Sequence, residues 1–297
     1  MKKLSKDYEI KKARMQKKLS NYCKINNLEI KNLTLEQVEE FMSNNIRTIN
    51  RSAFYQSVKV LNLVLSENDN EITISSKDYS NEYSVVKDEM YFTKKEVQDI
   101  CNQLFNYQDK AIVYLLFNGV MGKGYKDLLN IKVKDIAEDY SYIIVNGKKI
   151  MCDDYLKLIL EGTVEQMTYY KIVHSGGLRT SDYYDFNESS EYLIKVKPTK
   201  TNCYGLNPMT QSALNRKLTK LQDLYEEKRG EKIVLSGTSL VVSGIMFDMF
   251  LKSVEDGKTW EIDTIDNILK MNGIKKNAAE LYRRFWLRYY DSKKAVF

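Results

Sequence analysis

The chain has 297 residues, and 46 Lys and Arg against 40 Asp and Glu give it a formal net charge of +6. This length favours two domains, and the basic charge favours a polyanionic partner. A single histidine, His174, argues against catalytic or metal sites that need several histidines. The cysteines, Cys23, Cys101, Cys152 and Cys203, are too widely spaced for a zinc site or a disulfide framework, so we expect no metal, no cofactor and reduced thiols.

The N-terminus is basic, but no apolar run of about 18 residues follows it or stands elsewhere. We therefore expect a cytoplasmic protein without a membrane segment. There are two prolines and no Gly/Ser-rich tract, which predicts that both domains are folded.

Three helices are predicted in the first domain, residues 1–80. Residues 2–24 place apolar side chains at three- and four-residue spacings with lysines between them, the pattern of an amphipathic helix. Thr34 and Gln37 form a capping box that begins the second helix, and the third helix follows Asn50.

A polar stretch follows, and we assign residues 81–90 to a linker before a second domain, residues 91–297. Thr93 and Glu96 form another capping box, and Asn146-Gly147 between two short apolar runs predicts a β-hairpin. Further helices are predicted at 111–117, 207–229, 240–254, 262–271 and 277–290. The expected fold class is mainly α with a small β-sheet, because no series of alternating strands and helices is present.

Two segments resemble the tyrosine recombinases, also called phage integrases: FTKKEVQDI at 92–100 and DLLNIKVKDI at 127–136. The resemblance implies a two-domain clamp on DNA, with a helical SAM-like domain before an α-rich catalytic domain that holds a three-stranded sheet. It also implies a catalytic arginine three residues before Asp127, where this chain has Gly124.

The other catalytic positions that the family implies are mostly changed as well. The family's His-x-x-Arg pair falls on Thr238 and Val241, and its second histidine falls on Gly273. A lysine is kept at Lys148 or Lys149, and Tyr282 stands where the family has its nucleophile. His174 and Arg179 are five residues apart rather than three, so they do not replace the missing pair.

These losses predict that strand cleavage is absent, because phosphoryl transfer depends on positioned cations. One arginine in such a role is worth roughly 10³ to 10⁵ in rate. DNA binding depends instead on a distributed basic surface, and it survives such losses. The predicted DNA-contacting residues are Lys11, Lys12, Lys18, Arg47, Arg51, Tyr55, Lys123, Lys126, Lys148, Lys149, Arg283, Arg284 and Arg288.

Three functions stay open from the sequence. The first is a sequence-specific double-stranded DNA-binding protein without cleavage activity, most naturally a phage or prophage transcriptional repressor that a protein or peptide antagonist could release from its operator. The second is an active divergent recombinase that uses Tyr282. The third is an accessory protein that binds a recombinase. The oligomeric state is not predicted.

Overall fold

The structure is a computed structural model, and it describes residues 6–46, 51–79, 91–171, 183–230, 233–257 and 260–275. The backbone divides into two compact units, Met1–Lys87 and Asp88–Phe297. The division falls inside the predicted linker, and the exact domain boundaries stay predictions.

The first unit contains three helices, α1 (Lys6–Asn26), α2 (Leu35–Asn45) and α3 (Arg51–Glu67). The capping box before α2 is present: the Thr34 hydroxyl accepts a hydrogen bond from Gln37 N–H, and the Gln37 side chain accepts one from Thr34 N–H. The three helices enclose one apolar core. Its fully buried side chains include Leu19, Phe41, Met42, Phe54 and Leu61.

The second unit is mainly helical with two small hairpins, which confirms the predicted fold class. Its elements are α4 (Lys94–Gln103), α5 (Tyr107–Phe117), α6 (Lys126–Leu129), β1 (Tyr142–Val145), β2 (Lys148–Met151), α7 (Asp154–Glu165), β3 (Thr168–Tyr170), β4 (Tyr183–Asp185), α8 (Gln211–Arg229), α9 (Gly237–Asp256) and α10 (Ile262–Met271). The predicted helix at 277–290 lies outside the described residues.

Two helices begin at their capping residues rather than where the apolar pattern begins. α8 starts after Thr210, whose hydroxyl accepts from Ala213 N–H, although the pattern predicted a start at 207. α9 starts after Ser236, whose hydroxyl accepts from Ser239 N–H, three residues before the predicted start at 240. Side-chain caps decide helix starts because they satisfy backbone N–H groups that have no partner within the helix.

The predicted hairpin is formed by β1 and β2, which pair in antiparallel fashion around Asn146 and Gly147. A third strand is reduced to one antiparallel bridge between Ile136 and Ile143. A second hairpin, β3 with β4, was not predicted from the sequence.

The second hairpin is held to the helices by a buried charged group. Asp109 in α5 is buried, and its carboxylate pairs with the Lys217 ammonium of α8 at 2.7 Å. The Tyr169 hydroxyl of β3 donates to the same carboxylate at 2.9 Å, and the Lys217 ammonium lies 3.9 Å from the Tyr169 ring centre. These contacts satisfy a charge that would otherwise be costly to bury.

Helix α5 is the centre of the second unit, and residues 111–117 are buried on all sides. It packs against α4, α7 and α9. At the crossing with α9, a Cβ added to Gly244 would lie 1.7 Å from the Phe117 carbonyl oxygen. Only glycine therefore allows this approach of the two backbones.

Contrary to the expectation from the sequence, one helix passes the length and composition test for a membrane span. Residues 237–255 of α9 have a mean hydropathy of 1.3 in their most apolar window, and 67% of that window is buried. That degree of burial is typical of the core helix of a folded domain, so the composition of α9 is only weak evidence for a membrane span.

Candidate DNA interface

The loop between α5 and α6 carries Gly124, to which the recombinase resemblance assigns the first arginine, and the backbone of this loop is unusual. Gly124 has φ of +69° and ψ of +28°, and Tyr125 after it has φ of +64°. This left-handed region is reached by glycine without penalty but costs other residues about 1–2 kcal/mol. An arginine at position 124 would be strained in this conformation.

Asp127 ties this loop to the β1–β2 hairpin. Its carboxylate packs over Gly122, so closely that a Cβ there would lie 2.3 Å from Asp127 Cγ. The same carboxylate accepts a hydrogen bond from the Asn146 side-chain amide at 2.7 Å. The turn of the hairpin is therefore fixed beside the loop.

The pairing register separates the two hairpin lysines. Lys148 is paired with Val145, and Lys149 is paired with Ile144. Successive side chains of a strand point to opposite faces, so Lys148 lies on the face of the buried Ile143 and Val145. Lys149 lies on the other face, with its ammonium 3.8 Å from the Tyr142 ring centre. Of the two lysines, Lys148 is the one on the inward face.

The start of α9 holds Thr238 and Val241, to which the recombinase resemblance assigns the His-x-x-Arg pair. Thr238 is half-buried, whereas Val241 has no exposed surface and belongs to the main apolar core. Position 241 therefore contributes packing, and its side chain does not reach a surface where it could meet a phosphate.

Tyr125 fills the space in front of this helix start. A Cβ on Gly237, the first residue of α9, would lie 2.2 Å from Cε1 of the Tyr125 ring. Burial raises the pKa of the Tyr125 hydroxyl, and a hydrogen bond from the Gly237 backbone partly offsets that rise. The hydroxyl therefore stays neutral at physiological pH.

The α5–α6 loop also contacts the residues at the end of α10. Gly122 N–H donates to the Asn272 side-chain oxygen at 3.2 Å. A Cβ on Gly273 would lie 3.6 Å from Cγ of Lys123. The α5–α6 loop thus contacts the hairpin turn, the start of α9 and the end of α10. Tyr282 lies outside the described residues.

We call Lys123, Lys126, Lys148 and Lys149 the loop–hairpin lysines. All four are exposed, and among the described residues no carboxylate lies within 4.0 Å of their ammonium groups. Five other lysines of this unit are paired with carboxylates: Lys94, Lys132, Lys157, Lys217 and Lys270. Exposed lysines without a carboxylate partner are the kind of residue that neutralises backbone phosphates in DNA-binding proteins.

In the first unit, the predicted lysines already have partners. The Lys11 ammonium donates to Gln56 Oε1 at 2.9 Å, and the Lys18 ammonium donates to Asn45 O at 2.9 Å. Lys12 forms an ion pair of 2.5 Å with Glu67. The Glu67 carboxylate offsets the charge of Lys12, whereas within the described part of the chain no carboxylate lies within 4.0 Å of the Lys11 or Lys18 ammonium group.

Tyr55 and the predicted arginines complete the set of expected DNA-contacting residues. Tyr55 is half-buried, with its ring centre 6.5 Å from that of Phe54. Arg51 is the first residue of α3, and its side chain is not described. His174, Arg179, Arg47, Arg283, Arg284 and Arg288 lie outside the described residues.

Sequence reasoning missed Arg14, Tyr125 and Asn272. Arg14 is exposed on α1, and its spacing of three from Lys11 and four from Lys18 is a helical signal that could have found it. No sequence signal marks the left-handed backbone of Tyr125 or the bond from Gly122 to Asn272.

Among the residues that the structure describes, no group of three or more His, Cys, Asp or Glu side chains is placed to hold a metal ion. Cys23, Cys101 and Cys152 are buried, Cys203 is exposed, and all four thiols are free. Burial raises the pKa of Cys101 to about 12, which keeps this thiol protonated.

One curated protein of a Bacillus prophage is similar in sequence to part of this chain. The chain is 25% identical over 179 residues to the SPbeta prophage-derived uncharacterized protein YopR of Bacillus subtilis strain 168, an alignment that covers 57% of this chain and 51% of the relative. The chain therefore spans about half the length of this curated relative.

Two solved structures are similar at low identity. A crystal structure of XerA recombinase matches 94% of this chain and 91% of its own, with a TM-score of 0.38 and 13% identity. A lambda integrase (75-356) dimer bound to a COC' core site matches 99% of this chain and 92% of its own, with a TM-score of 0.37 and 12% identity.

A family model covers most of the second unit. It is described as MrpR, C-terminal catalytic domain, and it matches residues 91–292. This match spans more than half of the chain, and it begins just before the FTKKEVQDI segment that carries the recombinase resemblance. The chain belongs to the MrpR family, through its C-terminal catalytic domain.

Proposed function

We propose that this protein binds a specific double-stranded DNA operator without cleaving it, as a cytoplasmic transcriptional repressor that controls lysogeny of a phage or prophage. The observation that carries the proposal is a contrast within one site. The loop–hairpin lysines are exposed and uncompensated, whereas Gly124 and Val241 offer no cation to a reacting phosphate.

Chemistry supports the absence of cleavage. A tyrosine hydroxyl has an ordinary pKa of about 10, and its attack on a phosphodiester needs cations that neutralise the non-bridging oxygens. The family's two arginine positions hold a left-handed glycine and a core valine. The prophage origin of the relative in Bacillus subtilis supports a role in lysogeny.

An active divergent recombinase is the second candidate, and one observation favours it. The backbone and Cγ of Lys123 lie close to Gly273, and Lys148 lies on the inward face of the hairpin, so two lysines belong to segments that carry positions which the recombinase resemblance makes catalytic. Ammonium groups lack the planar fork with which arginine binds two phosphate oxygens at once. We therefore rank this candidate below the repressor, with the accessory protein third.

The deciding experiment recovers the DNA that the protein binds. Genomic fragments captured by the full chain are sequenced, and the enriched site is titrated against scrambled DNA at two salt concentrations. We expect tight, site-selective binding. A nicked suicide substrate carrying the enriched site is then incubated with the wild type and with Tyr282→Phe, and denaturing gels are read for a covalent adduct.

A covalent adduct in the wild type that is absent from Tyr282→Phe would establish the recombinase instead. Weak binding that does not distinguish the enriched site from scrambled DNA would favour the accessory protein.

The loop–hairpin lysines give a quantitative prediction. Changing all four to alanine should weaken DNA binding strongly and flatten its salt dependence, because each lost phosphate contact lowers the slope of log K against log salt by roughly 0.9. We expect the slope to fall by about 2 to 4, measured by fluorescence anisotropy between low and moderate salt.

The matched control changes Lys132 and Lys157 to alanine in the same unit. Their ammonium groups are already paired with Glu191 at 2.6 Å and Asp154 at 3.0 Å, so their removal should change the slope little. Equal slopes for the two sets of variants would show that the loop–hairpin lysines do not contact DNA.

A further inference from the structure

A groove runs between α1 and α3 in the first unit, with a volume of about 280 Å³. Its floor is apolar and includes Met15, Ala53 and Val60. Val60 is 2% exposed, yet it is not part of the apolar core of this unit. Met15 is half-buried and packs against that core, and Ala53 is half-buried as well, so these two side chains form the accessible apolar part of the floor.

The rim of the groove is cationic. Lys11, Arg14 and Lys18 line it from α1, and none of the residues lining the groove is acidic. Lys11 and Lys18 donate to neutral oxygens, and among the described residues no carboxylate pairs with Arg14. Three positive charges thus surround an apolar floor without compensation.

We propose that this groove binds an acidic, amphipathic helical segment of a protein partner. Such a segment would place one or two apolar side chains on Met15 and Ala53, and its carboxylates would meet the cations of the rim. The volume is slightly below the roughly 300–1,000 Å³ of small-molecule pockets, so it suits a few side chains of a larger partner. A helix laid into a groove is a common mode of peptide recognition.

Duplex DNA fits the rim but not the floor. Phosphates would satisfy Lys11, Arg14 and Lys18, while the half-buried side chains of Met15 and Ala53 would stay uncovered beneath them. An acidic amphipathic segment satisfies both surfaces, and for this reason the observations favour protein over DNA. The inference goes beyond the proposed function, because it concerns a partner other than the operator.

The test uses the full chain and a defined probe, in the absence of DNA. The probe is a fluorescein-labelled helical peptide of about 12 residues, near the shortest length at which helices form in water, built from glutamate and leucine. A second peptide of equal charge has serine in place of leucine. Binding is read as fluorescence anisotropy.

Two charge reversals on one helix form the matched pair. Arg14→Glu changes the rim, whereas Lys17→Glu makes the same change of charge at an exposed residue of α1 that does not line the groove. We expect Arg14→Glu to weaken binding of the leucine peptide about 10-fold and Lys17→Glu less than about 3-fold. Thermal unfolding of both variants checks that the helices are intact.

A third variant fills the groove without changing its charge. Ser57 lines the groove from α3, and Ser57→Leu should weaken the leucine peptide about 10-fold while it leaves binding to duplex DNA unchanged. The serine peptide should bind the wild type at least about 10-fold more weakly than the leucine peptide.

Three results would overturn the proposal. Equal effects of the two charge reversals would show that long-range charge alone attracts the probe. Equal binding of the two peptides would show that the apolar floor is not used. Loss of DNA binding in Ser57→Leu, with displacement of the peptide by duplex DNA, would assign the groove to DNA instead. None of these results depends on whether the protein represses transcription.

Discussion

Replacing Val241 with arginine should unfold much of the protein instead of restoring cleavage. Val241 has no exposed surface and lies in the main apolar core. A guanidinium cannot lose its charge at physiological pH, and an unpaired buried charge costs several kcal/mol. We expect a loss of about 4 kcal/mol or more, a large share of the roughly 5–15 kcal/mol that stabilises an ordinary domain.

The measurement is the midpoint of urea or thermal unfolding, and the control is Leu251→Arg. Leu251 is on the same helix, α9, and is 36% exposed, so the incoming side chain can reach water there. A Val241→Arg protein that unfolds together with the wild type would show that position 241 faces solvent. In that case, the placement of Val241 in the apolar core would be wrong.

Gly244→Ala should be nearly as damaging, although it adds a single methyl group. The added Cβ would lie 1.7 Å from the Phe117 carbonyl oxygen and 2.9 Å from the carbonyl carbon. These are backbone atoms, so α5 and α9 must move apart and loosen the core around them. We expect a loss of about 3 kcal/mol, because overpacking exceeds the gain of about 1 kcal/mol in helix propensity.

Gly119→Ala is the control for this substitution. Gly119 follows α5 with φ of +78°, and an added Cβ there would have nothing within 4 Å. We expect Gly119→Ala to lose only about 1–2 kcal/mol of stability, the cost of a positive φ for a residue with a Cβ. If urea unfolding found Gly244→Ala no less stable than Gly119→Ala, the close crossing of α5 and α9 would not exist in solution.

The parts of the fold that sequence predicts well are those decided by neighbours in the chain. Thr34 and Thr93 cap α2 and α4 as their capping boxes predict, because each box involves side chains only three residues apart. Asn146 and Gly147 adopt positive φ, as the hairpin prediction requires. Local chemistry was sufficient in each case.

Features that depend on distant parts of the chain were not predicted. β3 and β4 have three residues each and are separated by 12 residues, 171–182, too far for a turn signal to reveal their pairing. Lys12 was expected to face DNA, and its partner Glu67 is 55 residues away. Such contacts are decided by how helices pack, which periodicity does not specify.

The candidate site was predicted in part. Spacing from Asp127 directed attention to Gly124, whose assignment to the missing arginine stays a prediction, but it gave no sign of the left-handed backbone there. The contacts of Tyr125 with Gly237, and of Lys123 with Gly273, join segments more than 100 residues apart. The residues that fill the site could therefore be found only from the structure.

The hydrogen bond from the Asn146 amide to the Asp127 carboxylate lowers the entropy cost of binding a ligand at the α5–α6 loop and the hairpin. It fixes the backbone that carries the loop–hairpin lysines before any ligand arrives. The conformational entropy of ordering two loops is then lost during folding and not again on association, which leaves only the lysine side chains to be immobilised. For the proposed DNA operator, we therefore expect tighter association from the same four charges than flexible loops would give, without any added contact.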